Sequence, residues 1–162
     1  MEIDLSLNEH NILTTNMYKR KFLKDADAKA FDAMMGLERY LATSSLSKLH
    51  WEMIKIRVSQ LNGCAYCIDK HSKDAIALGE SAQRIILLPV WRETNFFSKE
   101  EQAILALAEE MTLIAGKHVS DKVYDTAIEL LGQQYTTKVM MAIIAMNAWN
   151  RVGITTGRRA EK

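Results

Sequence analysis

One proline in 162 residues, Pro89, leaves this chain with little that would forbid a helix, and its apolar side chains recur at steps of three and four. Such steps align on one face of a helix, whereas a half-buried strand needs strict alternation. The seven glycines read as marks of element ends rather than phosphate cradles. No G-x-x-x-x-G-K-[ST] run and no strand-led G-x-G-x-x-G is present. The chain is predicted to be all-α.

The pattern divides into about six to seven helices. The first covers about 27–41 and carries Phe31, Met34, Met35, Leu37 and Leu41. The run TSSLS offers serine caps for a second helix ending at Asn62-Gly63, and a third runs from Cys64 to Gly79. A short fourth segment, ESAQRIILL, is ended by Pro89. Ser98 and Glu101 form a capping box before a fifth helix that closes at Gly116. A sixth runs from Ser120 or Asp121 through Leu131 to Gly132, and the last covers about 136–151. Residues 1–24 lack periodicity and read as an arm on a single domain spanning 1–162.

A formal charge of +1 gives no electrostatic reason to expect nucleic acid or an anionic membrane. The opening MEIDLSLNEHN lacks the basic and apolar regions of a secretory leader, and no run reaches the ~18 apolar residues of a membrane span. The expectation is a cytoplasmic protein. In a reducing compartment a C-x-x-C pair is more often catalytic or metal-binding than a structural staple.

Cys64, Cys67 and His71 lie within eight consecutive positions. On a helix, Cys64 and Cys67 are rotated by roughly 60° and displaced by about 4.5 Å, within reach of a disulfide. His71 follows Cys67 by four residues, so both occupy one face. A helix N-terminus favours a thiolate, and an adjacent imidazole can take its proton. A reversal at Gly63 would bring Glu52 level with the residues just past His71, giving a file of carboxylate, imidazole, inner thiol and outer thiol. The same residues admit other readings. Two cysteines can be small core residues, and Glu52 can pair on the surface with Lys48 or Lys55. Cys64, Cys67, His71 and Glu52 can also be counted as zinc ligands, although three ligands along one regular helix fit a tetrahedron poorly.

The spacing E-x11-C-x-Y-C-x3-H-S resembles the active-site signature of alkylhydroperoxidase D-like (AhpD-like) proteins, a group of the carboxymuconolactone decarboxylase superfamily. WRETNFFSKEEQAILALAEEMT and IAMNAWNR extend the likeness, which runs from about residue 20 to about 155. The resemblance implies an AhpD-like helical fold with a central hairpin, assembled as trimers or hexamers. It implies a thiol-dependent peroxidase without metal or flavin, in which Glu52 and His71 relay protons to Cys67 and Cys64 resolves the oxidised sulfur. Cys64 attacking first is the converse assignment. Tyr66 and Ser72 would support the site. The partners implied are a hydroperoxide and an external dithiol such as a lipoamide- or thioredoxin-like donor. The cysteine pair weighs against lactone decarboxylation, because the related decarboxylases generally lack it. A redox sensor that changes partners through the same disulfide is the alternative. For Asn147, Trp149, Asn150 and Arg151 an interface or helix-cap role is the simplest expectation.

Overall fold

Residues 20–161 are described by a computed structural model, and the arm expected at 1–24 lies mostly outside them. Among the described residues the chain forms α1 (Leu23–Ala26), α2 (Ala28–Thr43), α3 (Lys48–Asn62), α4 (Ala65–Ala77) and α5 (Ala82–Leu87). A 3₁₀ turn follows (Leu88–Glu93), then α6 (Lys99–Thr112), α7 (Asp121–Leu131) and α8 (Gln133–Thr155). No strand occurs among them. The fold is all-α.

Local chemistry sets most of the helix ends. Asp27 Oδ1 accepts from the Lys29 and Ala30 amides at the start of α2. Ser98 and Glu101 exchange side-chain and backbone bonds as the capping box of α6. Ser81 and Ser120 cap α5 and α7. Ser47 precedes α3 as foreseen but makes no side-chain cap bond; its amide instead donates to the Tyr135 hydroxyl, 88 positions away.

Other boundaries depart from the periodic pattern. α5 ends at Leu87, just before Pro89 as expected, but the chain continues as a 3₁₀ segment whose first turn holds Pro89, where a missing N–H costs nothing. α6 ends at Thr112 rather than Gly116, and Leu113 and Ile114, which prolong the apolar period, are exposed. α8 starts at Gln133, immediately after Gly132, and continues past Arg151 to Thr155. Gly36 and Gly153 lie inside helices rather than at their ends.

α3 is the axis of the fold and packs against α4, α6 and α8. It buries Met53, Ile54, Ile56 and Val58 together with Glu52, Lys55 and Ser59. A helix enclosed on several sides loses the one-sided stripe of a surface helix. Ile104, Leu105 and Leu107 of α6 and Val139 and Ile143 of α8 complete the core around it. No helix among the described residues is long and apolar enough to cross a membrane.

Candidate active site

α3 ends in a Schellman turn: the Gly63 amide donates to Gln60 O and the Cys64 amide to Ser59 O. Gly63 adopts φ 71°, a left-handed conformation that costs glycine little and other residues more. The chain reverses there and α4 returns along α3. Cys64 occupies the N-cap position of α4 and Cys67 its first turn. The two are joined as a disulfide with Cα atoms 5.3 Å apart. Cys64 is 2% exposed and Cys67 5%, so the cysteine at the helix end is not the more open one.

The reversal carries Glu52 to His71: His71 Nδ1 lies 2.8 Å from Glu52 Oε2. The other carboxylate oxygen accepts from Lys55 Nζ, also at 2.8 Å, so Glu52 holds a pairing partner on its own helix and the imidazole together. Glu52 and Lys55 are both buried, and the Lys55 ammonium stands over the Trp51 ring. Burial pushes the Glu52 carboxyl up, but the His71 hydrogen bond and the Lys55 charge outweigh it and hold the group below its ordinary value. An ionised carboxylate only accepts hydrogen bonds, so Nδ1 carries the hydrogen and a neutral ring presents Nε2 as its proton acceptor.

Cys67 and His71 share the wall of a cavity of roughly 400 Å³ that Cys64 does not line. Phe22, Phe31, Met35, Met146 and Trp149 supply apolar surface there. Phe31 and Met35, on the periodic apolar positions of α2, line this hollow. Tyr66 also borders the cavity, and its hydroxyl accepts from Arg158 Nη1 at 2.7 Å. Ser72 is half-buried and lies outside the lining. From the far side α8 presents Gly153, where an added Cβ would sit 3.7 Å from Cys64 Sγ and 3.9 Å from Cys67 Sγ.

A zinc set made of the two cysteines, His71 and Glu52 is not what converges. The sulfurs are bonded to each other, and the ligand atoms within 4.8 Å of one another belong to Glu52, His71 and Asp74. Lys55 already supplies Glu52 with positive charge. Among the other histidines, His118 is exposed, while His50 sits in the first turn of α3 bonded to the Tyr135 hydroxyl, and burial lowers its pKa. His10 lies outside the described residues.

Asn147, Trp149 and Asn150 of the IAMNAWNR segment make interhelical contacts, whereas Arg151 bonds within its own helix. Asn62 donates to both Asn147 Oδ1 and Asn150 Oδ1, Asn150 donates to Ser59, and Asn147 donates to Thr112. Arg151 donates to the Asn147 carbonyl and amide oxygens. Trp149 donates to Glu38 across the cavity wall.

A profile of the carboxymuconolactone decarboxylase family matches residues 28–110, from α2 through most of α6 and across the whole cysteine hairpin. That is more than half of the 162 residues. The chain belongs to the carboxymuconolactone decarboxylase family. An uncharacterized family relative, YdfG of Bacillus subtilis (strain 168), is 45% identical over 127 residues, covering 78% of this chain and 86% of its own. A crystal structure from Agrobacterium tumefaciens, of a protein of unknown function provisionally named antioxidant defence protein AhpD, superposes with a TM-score of 0.85 at 33% identity. It covers 90% of this chain and all of the other. A peroxidase-related protein from Ralstonia eutropha JMP134, described as an alkylhydroperoxidase AhpD core, shares the fold at 18% identity and a TM-score of 0.73. That match covers 86% of this chain and 74% of the other. This member of the carboxymuconolactone decarboxylase family therefore combines the AhpD-like fold with a disulfide-forming cysteine pair, a thiol redox centre.

Lys55 entered the sequence reading only as a rival claim on Glu52. Arg158, Phe22, Phe31 and Trp149 did not enter it as site residues. Trp149 lies in a recognisable segment; nothing local marks Arg158.

Proposed function

We infer that the protein is a thiol-dependent peroxidase that reduces organic hydroperoxides through Cys64 and Cys67. The observation that carries this reading is the buried Glu52–His71 hydrogen bond one helical turn from Cys67, on the wall of a cavity that Cys67 and His71 share. Cys67 is the attacking sulfur. His71 Nε2 takes its proton, and Glu52 stabilises the imidazolium that results. The thiolate attacks the outer peroxide oxygen; the O–O bond breaks, Cys67 becomes a sulfenic acid, and the alkoxide leaves as an alcohol with the proton from His71. The Cys64 thiol then displaces hydroxide from the sulfenic sulfur, forming the disulfide and water. An external dithiol of the lipoamide or thioredoxin kind returns two electrons and two protons by exchange. The greater opening of Cys67 supports this order over attack by Cys64. A trimeric or hexameric assembly and a cytoplasmic setting belong to the same reading.

Intact mass and thiol count after one equivalent of cumene hydroperoxide test it. The expected result is loss of two hydrogens and two thiols, restored by dihydrolipoamide and repeated over many cycles. In Cys64→Ser, the sulfenic acid is trapped on Cys67 at an undiminished first-turnover rate. Thiols that do not react, or trapping on Cys64 in Cys67→Ser at the normal rate, would refute the reading or its assignment. A single oxidation with no dithiol-driven recovery would leave a sensor rather than an enzyme.

A further inference from the structure

The cavity beside Cys67 has a polar axis. Arg158 stacks on Phe22 at 4.1 Å, Phe22 meets Phe31 edge-on at 6.0 Å, and Phe31 meets Trp149 at 5.8 Å. Trp149 Nε1 ends the row on Glu38 Oε1 at 2.8 Å. An aromatic strip thus runs from a guanidinium to a carboxylate. A ligand whose apolar body lies on this strip and whose charged end is negative has one favourable orientation.

The other cations of the wall are already neutralised. Lys55 is held by Glu52, and Lys70 by Asp74 at 2.6 Å. The partners of Arg158 among the described residues are the Tyr66 hydroxyl and the Phe22 and Tyr66 rings, none of which cancels its charge. On its outer side Arg158 borders a second hollow where Arg20, Lys21 and Arg159 face Asp25, Asp69 and Glu161. Asp69 is paired with Lys73. Positive charge is therefore in excess at this end.

The guanidinium is also held in place. α8 closes in a second Schellman turn, with Gly157 at φ 74° and the Arg158 amide donating to Gly153 O at 2.9 Å. The backbone that fixes Arg158 is thus the backbone of the glycine facing the sulfurs. A guanidinium clamped by two rings and a phenol keeps its remaining donors preorganised for a carboxylate.

We propose that this cavity binds amphipathic carboxylic acids, with Arg158 reading the carboxylate and the aromatic strip taking the apolar chain. Building on the peroxidase reading, the oxidant is an organic hydroperoxide that bears a carboxylate, of the fatty-acid hydroperoxide class. Its peroxide group is reduced to an alcohol at Cys67, and its acid group remains unchanged on Arg158.

The test compares probes that differ only in charge. Decanoate and 1-decanol are titrated into the wild-type protein and into Arg158→Gln and Arg158→Lys, following tryptophan fluorescence and heat of binding. Thiol oxidation is then timed with linoleic acid hydroperoxide and its methyl ester, below the micellar concentration. The expected result is a preference of about tenfold for the acid in both measurements, the scale of one charge-assisted contact at a partly wet site. The ratio falls to about one in Arg158→Gln and is partly kept in Arg158→Lys. Equal binding of decanoate and decanol, or a preference that survives in Arg158→Gln, would overturn the proposal while leaving the peroxidase reading intact. Acid-selective binding through Arg158 with no thiol oxidation by either hydroperoxide would uphold the acid site and remove the peroxidase reading.

Discussion

Glu52 answers to an ammonium and an imidazole at once, and that double duty sets what its replacement does. In Glu52→Gln the Lys55 ammonium stays buried without a countercharge, a loss of about 3 kcal/mol on the scale of broken buried ion pairs. Urea denaturation at pH 7 reads it directly. The sign of the pH dependence follows from the depressed carboxyl. Ionised Glu52 contributes stability above its ordinary value of 4.5, and that contribution is lost as pH falls through the lower folded value. The stability gap between wild type and Glu52→Gln therefore narrows in acid. A gap that is constant down to pH 2 would show that the charge is not its source. The same variant should oxidise its thiols roughly 100-fold more slowly at neutral pH, because the ring loses the group that orients it and stabilises its charged form. A purely structural role would lower stability without moving that rate or its pH profile.

At the scale of elements, the joint between α3 and α8 is polar where most of the bundle is apolar. Asn150 is completely buried, and its amide satisfies both Asn62 and Ser59. Asn150→Ala removes the donor to Ser59 and leaves Asn62 with Asn147 alone, and should cost about 2–4 kcal/mol, read as a lower urea midpoint with an unchanged slope. If Asn150→Ala unfolds at the wild-type midpoint, the amide network does not hold the joint. Asn62 is the last residue of α3, so this network also steadies the turn from which the cysteines start. The sequence disclosed the helices through short-range signals: Ser98 and Ser120 act within three residues, and the Gly63 turn within five. Gly63 also made the Glu52–His71 encounter legible, because a tight reversal leaves α4 only one way back. What stayed hidden depends on distant partners. The partner of the Ser47 amide before α3 is Tyr135, the Asn147–Asn150 bonds come from α3 and α6, and the cavity needs α2, α3, α4 and α8 together with Phe22 and Arg158. Phe31 and Met35 look like core in any periodic analysis, because a helix facing a hollow and one facing a core share a pattern.

For the whole molecule, a disulfide between residues three apart closes too short a loop to hold the fold. Loop-closure arithmetic gives roughly 2 kcal/mol for so small a ring, against a core to which six helices contribute. Reduction should leave far-UV circular dichroism unchanged and lower Tm by no more than about 8 °C for a domain of this size. A larger drop, or loss of helix on adding a reductant, would mean that the bond is a staple. Its chemistry then runs on a scaffold that stays folded through both redox states.

A hydrogen atom is all that Gly153 sets against the two sulfurs. One methyl group would just meet them at ordinary contact distance, and anything bulkier would have to push them. The long C-terminal helix therefore works as a spacer gauge behind the sulfur couple. The space beside the sulfurs is thus bounded by a helix that contributes neither cysteine.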